Sequence, residues 1–498
     1  MLRPSAGSFV LRLAWLVTGL LPFAPKAFAW PPTFGLELNL WSVELAGIFD
    51  KRMEDESIPE ARRQVPTADG EFRVAKQFSD DLFAYCQPQC RRTEHPGKFS
   101  FTEWKFEFED GFGFNIAVDP STVEIQVGPW TSEQWKVHEK SLQRFLYDFP
   151  ARKKLIHKGL DGTESSAHLN IGVRSAFEDD GLSFARYVAD YWQYPELAEG
   201  LLGNDPDNAP TLERLRPEQR EAALAVFEGV NREAGLSPQE VAQRITRQVY
   251  TWSPGHEGTA LNYHNQAVGM KYVTDPGKLV GDNLGDVPTE LRANREPVTA
   301  AHATLQVELQ QKRLEYLRAK QGEPIFFRPD VVSFSDADKV DAFLMYLGDM
   351  GLEAEYKTYA ILLPSELRRV KPNPFLMGAK LPAKFEPDER FLRRLHHSSF
   401  VRDRFQDFLL SRKALAPEIF EKTLQRMLPY VESEENGPIR ALLVSMGAQV
   451  PEPIRPPPPS APVLQAATEA PLPGGRPSLL QRCNAIWSRL LGHATPSP

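Results

Sequence analysis

Four strand-like runs in this sequence carry polar residues two positions apart: Glu37 and Asn39, Glu124 and Gln126, His168 and Asn170, and Glu290 and Arg292. A strand sends residues i and i+2 to one face, so each pair points together, while Leu38, Ile125, Leu169 and Leu291 between them point into a core behind. One such pair is what any water-facing strand shows. Four, separated by long helical insertions, predict one sheet whose open face is a lined cavity. The carboxylates of Glu37, Glu124 and Glu290 and the imidazole of His168 suit a divalent metal ion, and Arg292 and Arg295 carry the planar donors that clamp phosphate or carboxylate. The competing reading is structural: Glu290, Arg292 and Arg295 form an ion-pair network and His168 is a buried histidine with its hydrogen bonds satisfied.

The elements that must position these residues are read from periodicity. Residues 34–40, 99–108, 113–118, 123–127 and 167–173 alternate as strands do, and an antiparallel arrangement is predicted. Helical spacing occupies 132–149, with Ser132 as its cap, then 183–192, 211–234 and 237–252, the last opened by Ser237-Pro238 with Glu240 placed for a capping box. A further helix is predicted from Pro297 through Ala319, ending at Gly322. After residue 325 the pattern is mainly helical, at 337–352, 388–410, 417–428 and 439–446, with a strand-like interlude at 355–363. The fold class is therefore α+β, an antiparallel sheet with helices behind it and a mainly helical C-terminal region. Residues 451–477 are dense in proline, including four in a row at 456–459, and read as an extended semi-rigid linker. In the terminal segment, 478–498, Leu479, Leu480, Cys483, Ile486, Trp487, Leu490 and Leu491 form one helical stripe opposite Arg482 and Arg489. Such an amphipathic helix lies on a membrane surface, docks in a protein groove or folds back on its parent.

Composition narrows the classes. The 498 residues leave room for two or three domains, and 42% apolar with 25% charged residues is an ordinary globular balance, against wholesale disorder or a polytopic membrane protein. With 58 Lys+Arg against 66 Asp+Glu the net charge is -8, which argues against general nucleic-acid binding. Residues 1–29 hold Arg3 and Arg12, an apolar run at 13–24 and Ala27-Phe28-Ala29, the parts of a Sec-type signal peptide cleaved after Ala29. The alternative is an uncleaved anchor, although the run is short of the ~20 residues that span a bilayer. An exported protein, periplasmic or extracellular, is expected. There disulfides persist, and Cys86 and Cys90 are spaced for a small loop to close; the other reading, a metal pair, lacks a second Cys or His pair to complete it. No Gly-x-Ser-x-Gly, His-Glu-x-x-His or Gly-x-x-x-x-Gly-Lys run supports a serine esterase, a zincin or a Walker-type site. His396 and His397 are adjacent, and on a helix adjacent side chains diverge by about 100 degrees.

Several segments share a resemblance. Phe34-Gly35-Leu36-Glu37-Leu38-Asn39-Leu40 resembles the opening strand of the glutamine synthetase and glutamate-cysteine ligase superfamily, most closely its bacterial amidoligase branch. Val118-Asp119-Pro120-Ser121-Thr122-Val123-Glu124 is similar to that branch's step from Asp to a Glu-bearing strand, Ser166-Ala167-His168-Leu169-Asn170-Ile171-Gly172 to its His-bearing strand, and Thr289-Glu290-Leu291-Arg292 to its closing Glu-x-Arg strand. Asn262-Tyr263-His264-Asn265 falls where the branch has an Asn- and His-containing segment, and the order of all five agrees across roughly residues 33–320. The resemblance implies a curved sheet of glutamine-synthetase type enclosing ATP as co-substrate and Mg²⁺ or Mn²⁺. It implies an acyl phosphate made from a small-molecule or peptide carboxylate, and displacement of phosphate by an amine. By position Glu37, His168 and Glu290 match the ligands of one metal and Glu124 a ligand of another; Arg292 matches the phosphoryl-stabilising arginine, with Arg295 and Glu290 beside it as catalytic candidates. Lys271, His264 and Asn170 are the candidates for cofactor binding. Asn39 stands where the family has its second glutamate, and Gln126 adds no charge, so the second metal site that the resemblance implies would lose at least one carboxylate.

ATP is scarce outside the cytoplasmic membrane, so the address and the implied activity pull apart. Three functions remain in play: an amidoligase-like ligase, an exported binding protein on the same fold, and an envelope scaffold whose proline-rich arm and terminal helix do the work. The organisation expected is a signal peptide at 1–29, an amidoligase-like domain at 30–325, a helical region at 326–450, the linker and the terminal helix.

Overall fold

A computed structural model describes residues 31–63, 65–157, 166–197, 217–250, 270–272, 288–325, 327, 334–379, 389–431 and 437–450. The predicted signal peptide, linker and terminal helix lie outside the described residues.

Strand β1 (Thr33–Trp41) alternates throughout: Phe34, Leu36, Leu38 and Leu40 are buried on one face, and the odd-numbered residues form the other. Burying each of these large side chains stabilises the sheet by roughly 1.5–3 kcal/mol, so the register is strongly specified. The same rule forms β2 (Cys90–Pro96), β3 (Thr102–Phe108), β4 (Gly113–Asp119), β5 (Thr122–Thr131), β6 (Ile156–His157), β7 (Ser166–Gly172), β8 (Met270–Tyr272) and β9 (Pro288–Arg295). These make one nine-stranded sheet in the order β2-β3-β4-β5-β1-β7-β9-β8, with β6 pairing the end of β1. Every pairing is antiparallel, and the sheet is open, with β2 and β8 at its edges. The first strand in sequence is thus a central one.

Helices cover the apolar face. The first two longer than one turn are α1 (Val43–Glu54), capped by Ser42, and α2 (Arg73–Cys86), which buries Val74, Phe78, Leu82 and Cys86 at four-residue spacing. Neither is among the helices that periodicity predicts. Cys86 closes α2 and joins Cys90 at the start of β2 in a disulfide, with Cα atoms 5.6 Å apart. Helix α3 (Ser132–Leu142) is capped by Thr131 rather than by Ser132, in a capping box with Gln134, and continues as a wider π-type turn over Gln143–Asp148. Its Trp135 is fully buried and donates through Nε1 to the Phe34 carbonyl of β1 at 3.1 Å. Next come α4 (Gly181–Gln193), α5 (Pro217–Arg232) and α6 (Pro238–Ile245), the last with the predicted Ser237–Glu240 capping box. Helix α7 (Ala300–Ala319) packs on α3 and α4. It starts three residues after the expected Pro297 because Thr299 accepts from the His302 amide.

The C-terminal region supplies α8 (Asp336–Asp349), α9 (Glu389–His397), α10 (Ser399–Leu415), α11 (Pro417–Met427) and α12 (Gly437–Ser445). Two expectations fail here. The single helix expected over 388–410 is broken at Ser398, whose extended backbone and hydroxyl cap α10. The break is held by Asp349, whose Oδ1 accepts from Ser398 Oγ (2.8 Å), Ser399 Oγ (3.1 Å) and the Phe400 amide (3.0 Å). Residues 355–363 are short helical turns and not a strand: Tyr359 and Leu362, three apart, are buried together, and the segment pairs with no described strand. The apolar core is continuous from the sheet into these helices. Among the described residues no helix is long and apolar enough to cross a membrane.

At that junction lies Arg313 of α7, 1% exposed. Its Nε and Nη2 meet the two oxygens of Asp190 at 2.8 and 2.5 Å, Asp349 Oδ2 lies 3.6 Å from Nη1, and the rings of Tyr346 and Tyr316 face the guanidinium at 4.1 and 4.5 Å. A buried cation persists only where carboxylates and ring faces replace water in this way.

Candidate metal centre

The site is built by register. Glu37 of β1 stands directly opposite His168 of β7, and Asn170, two residues on, stands opposite Glu290 of β9. All four lie on the face away from Leu38, Leu169 and Leu291, which are fully buried as the alternation requires. Between Ala167 and Leu169 the β7–β9 pairing shifts by one, so that positions 292 and 293 both fall opposite His168. Such a bulge bends its strand and re-aims the neighbouring side chains. Glu290, paired with Asn170 before the shift, is a diagonal neighbour of His168, within the reach of long side chains across a strand pair.

The side chains converge. His168 Nδ1 lies 2.7 Å from Glu37 Oε2 and 3.1 Å from Glu290 Oε1, and Asn170 Nδ2 donates to Glu37 Oε1 at 3.2 Å. Ionised carboxylates only accept, so the proton on Nδ1 is what holds the two acids to the ring. One ligand atom from each of Glu37, His168 and Glu290 falls within 4.8 Å of the others. Their side chains are 22%, 12% and 7% exposed, sheltered but reachable from water on the Glu37 side. Two carboxylates and one imidazole suit a divalent cation that keeps several waters, with the ion replacing the Nδ1 proton.

The remaining residues divide. Glu124 is buried on the same face, opposite Asn39, and accepts from Gln126 Nε2 at 2.5 Å; it lies outside the three-residue group. Asn39 accepts from Thr122 Oγ1 at 3.2 Å. Lys271 pairs with Glu290 through the β8–β9 backbone, and Arg292 sits in the bulge; the side chains of both lie outside the described residues, as does His264. Arg295 pairs with Ser166 at the far end of β9. Among the described residues the charges acting on its half-buried guanidinium are Glu366 and Arg368, not Glu37 or Glu290, and burial lowers its pKa. The structure does not bring it to the three ligands.

No family model matches the chain, and no curated protein matches its sequence.

One supporting pair escapes the sequence pattern. β7 covers β1 as far as Glu37 and β6 begins at Leu40, so the Asn39 amide falls in a gap; Glu296 Oε1 accepts it at 2.9 Å. The same carboxylate lies 3.0 Å from His157 Nδ1, while His157 Nε2 donates to the Leu146 carbonyl at 2.7 Å. The contact between His157 and Glu296 therefore ties β6, β1 and the end of β9 together beside the site. Only the stopping points of β6 and β7 reveal this role for Glu296, and no local pattern encodes them.

Proposed function

We propose that this chain is an amidoligase-like, ATP- and metal-dependent carbon–nitrogen ligase, built on a sheet of glutamine-synthetase type and exported to the periplasm or beyond. The observation that supports it is the convergence of Glu37, His168 and Glu290 from three neighbouring antiparallel strands. Magnesium or manganese held by these three would neutralise phosphate oxygens during phosphoryl transfer. Arg292, in the bulge opposite His168, would stabilise charge on the transferring γ-phosphoryl group, and Lys271, opposite Glu290, would contact phosphate. The substrate carboxylate attacks the γ-phosphorus and ADP leaves; an amine then attacks the acyl phosphate, phosphate departs and an amide remains. Asn170 fixes the plane of Glu37 by its hydrogen bond.

A second reading, an exported binding protein that has kept the fold and lost turnover, is favoured by one observation. Asn39, with its neutral oxygen on Thr122, stands opposite Glu124 where the superfamily would supply a second acid. Calorimetric titration of the full chain with ATP, with and without Mg²⁺ or Mn²⁺, separates the two. Metal-dependent nucleotide binding that Glu290→Gln and Arg292→Ala each abolish, with the fold intact, supports the ligase. Absence of nucleotide binding in the wild type under either condition overturns it and leaves the binding protein.

A further inference from the structure

Away from the sheet's polar face, where α4 and α7 meet α9, α10 and α12, the helices leave a cavity of about 610 Å³. That is ample for a small organic molecule, for which pockets run to roughly 300–1,000 Å³. None of Glu37, His168 or Glu290 lines it. One side is apolar, with Leu317, Ile325 and Leu442; the cationic groups are Arg186, Lys320 and Arg402, and the acids are Glu323, Asp403 and Asp190, the last already held by Arg313.

The three cations are not equivalent. Arg186 Nη2 donates to the Glu323 carbonyl, and Arg402 Nη1 donates to the carbonyls of Leu395 and His396 at 2.8 and 2.9 Å, closing the end of α9. Both are occupied by the backbone. Lys320, just past the last residue of α7, faces the Tyr316 ring at 4.4 Å, and among the described residues no carboxylate lies within 4.0 Å of its Nζ. Tyr316 is itself fixed by its hydroxyl on Ser399 at 3.1 Å. Burial, with Arg402 and Arg313 adding to it, pulls Lys320 below the ordinary lysine pKa, although Asp349 and Glu323 act from a distance in the opposite direction. The first turn of α12, at Gly437 and Pro438, opens at the same wall and adds the positive end of a helix.

We propose that this cavity binds a small organic carboxylate, its charged end on Lys320 and its apolar body against Leu317, Ile325 and Leu442. An ammonium that no carboxylate contacts directly, among the described residues, leaves a place for a single negative charge, and the apolar wall calls for a hydrocarbon or aromatic body. This assignment is independent of the metal centre and of the reaction proposed there.

Benzoate serves as the probe and benzylamine as its cationic counterpart, each titrated into the full chain by ligand-observed NMR. Saturable benzoate binding is expected, at least about tenfold tighter than benzylamine, and weakened at least about tenfold by Lys320→Met, the loss expected when a charged hydrogen-bond partner is removed. Glu37→Gln leaves it unchanged. Competitive acetylation of the wild type, read by mass spectrometry, keeps the proposal testable should the Met variant misfold: benzoate protects Lys320. No saturable binding, equal binding of the amine, undiminished binding in Lys320→Met or unprotected Lys320 each overturns the assignment.

Discussion

Replacing Asn39 by glutamate puts a second acid directly opposite Glu124 across the β1–β5 pair. Opposed residues in an antiparallel pair have Cβ atoms about 5 Å apart. With an effective dielectric near 20, two unit charges at about that distance repel by about 3 kcal/mol. Solvent screening relieves little of this, because Glu124 is only 4% exposed. Asn39→Glu without divalent metal is therefore expected to lose about 3 kcal/mol relative to Asn39→Gln, which has the same length and no charge. If the two acids form a cation site, Mg²⁺ at a hundred times its dissociation constant returns about 2.7 kcal/mol. Urea unfolding of both full-length variants at pH 7, in EDTA and in millimolar MgCl₂, measures both quantities. Equal stability of the two variants in EDTA would refute the placement of residue 39 opposite the buried Glu124. A deficit that Mg²⁺ leaves untouched would show that acids at positions 39 and 124 do not together hold a cation.

Three other outcomes are expected. Burial, helped by the charges of Arg295 and Arg368, pushes His302 down to about 4, so its neutral form stabilises the fold fully above pH 6.5, and that contribution is lost as pH falls toward 4. The loss is about 3 kcal/mol, at about 1.4 kcal/mol per unit of pKa; His302→Gln should escape it, and parallel pH profiles of wild type and variant in urea unfolding would refute the assignment. Arg313→Met strands Asp190 and Asp349 and is expected to cost about 3–5 kcal/mol in the same assay, whereas a loss under about 1 kcal/mol would show that the cage contributes little. Thiol titration of denatured, unreduced protein should find one thiol per chain, that of Cys483; three would exclude the bond between Cys86 and Cys90.

The strands that carry the site were legible because each has one face on the core. Leu38, Ile125, Leu169 and Leu291 are all fully buried, and period two then puts Glu37, Asn39, Glu124, Gln126, His168 and Asn170 on the other face. The bulge at 292–293 has no period of its own, so which residues of β9 fall opposite His168 could not be read from spacing. Glu296 was hidden for a related reason, since its partner is a backbone amide left over by two strands that stop short. Further along, local pattern yields to tertiary contact. The run at 388–410 is periodic across Ser398, and what stops it is Asp349, 49 residues away in sequence. α7 buries Gln306, Gln310 and Arg313 as well as its leucines, and a helix enclosed on several sides shows no clean apolar stripe to announce its partners.

Because β1 sits mid-sheet, the sheet divides into parts that form on different terms. β2, β3, β4, β5 and β1 all come from residues 33–131, mostly as successive hairpins with short loops to close. The strands beyond β1 wait for chain far downstream of Glu37: His168 is 131 residues from it, and still later β9 must dock outside β7. Contacts so far apart in sequence form late and slow the search. The three candidate ligands, Glu37, His168 and Glu290, straddle that seam, one on the early half and two on the late one. Ion binding would therefore report on completion of the sheet, and a chain stalled with only its first half assembled would present Glu37 alone and hold nothing.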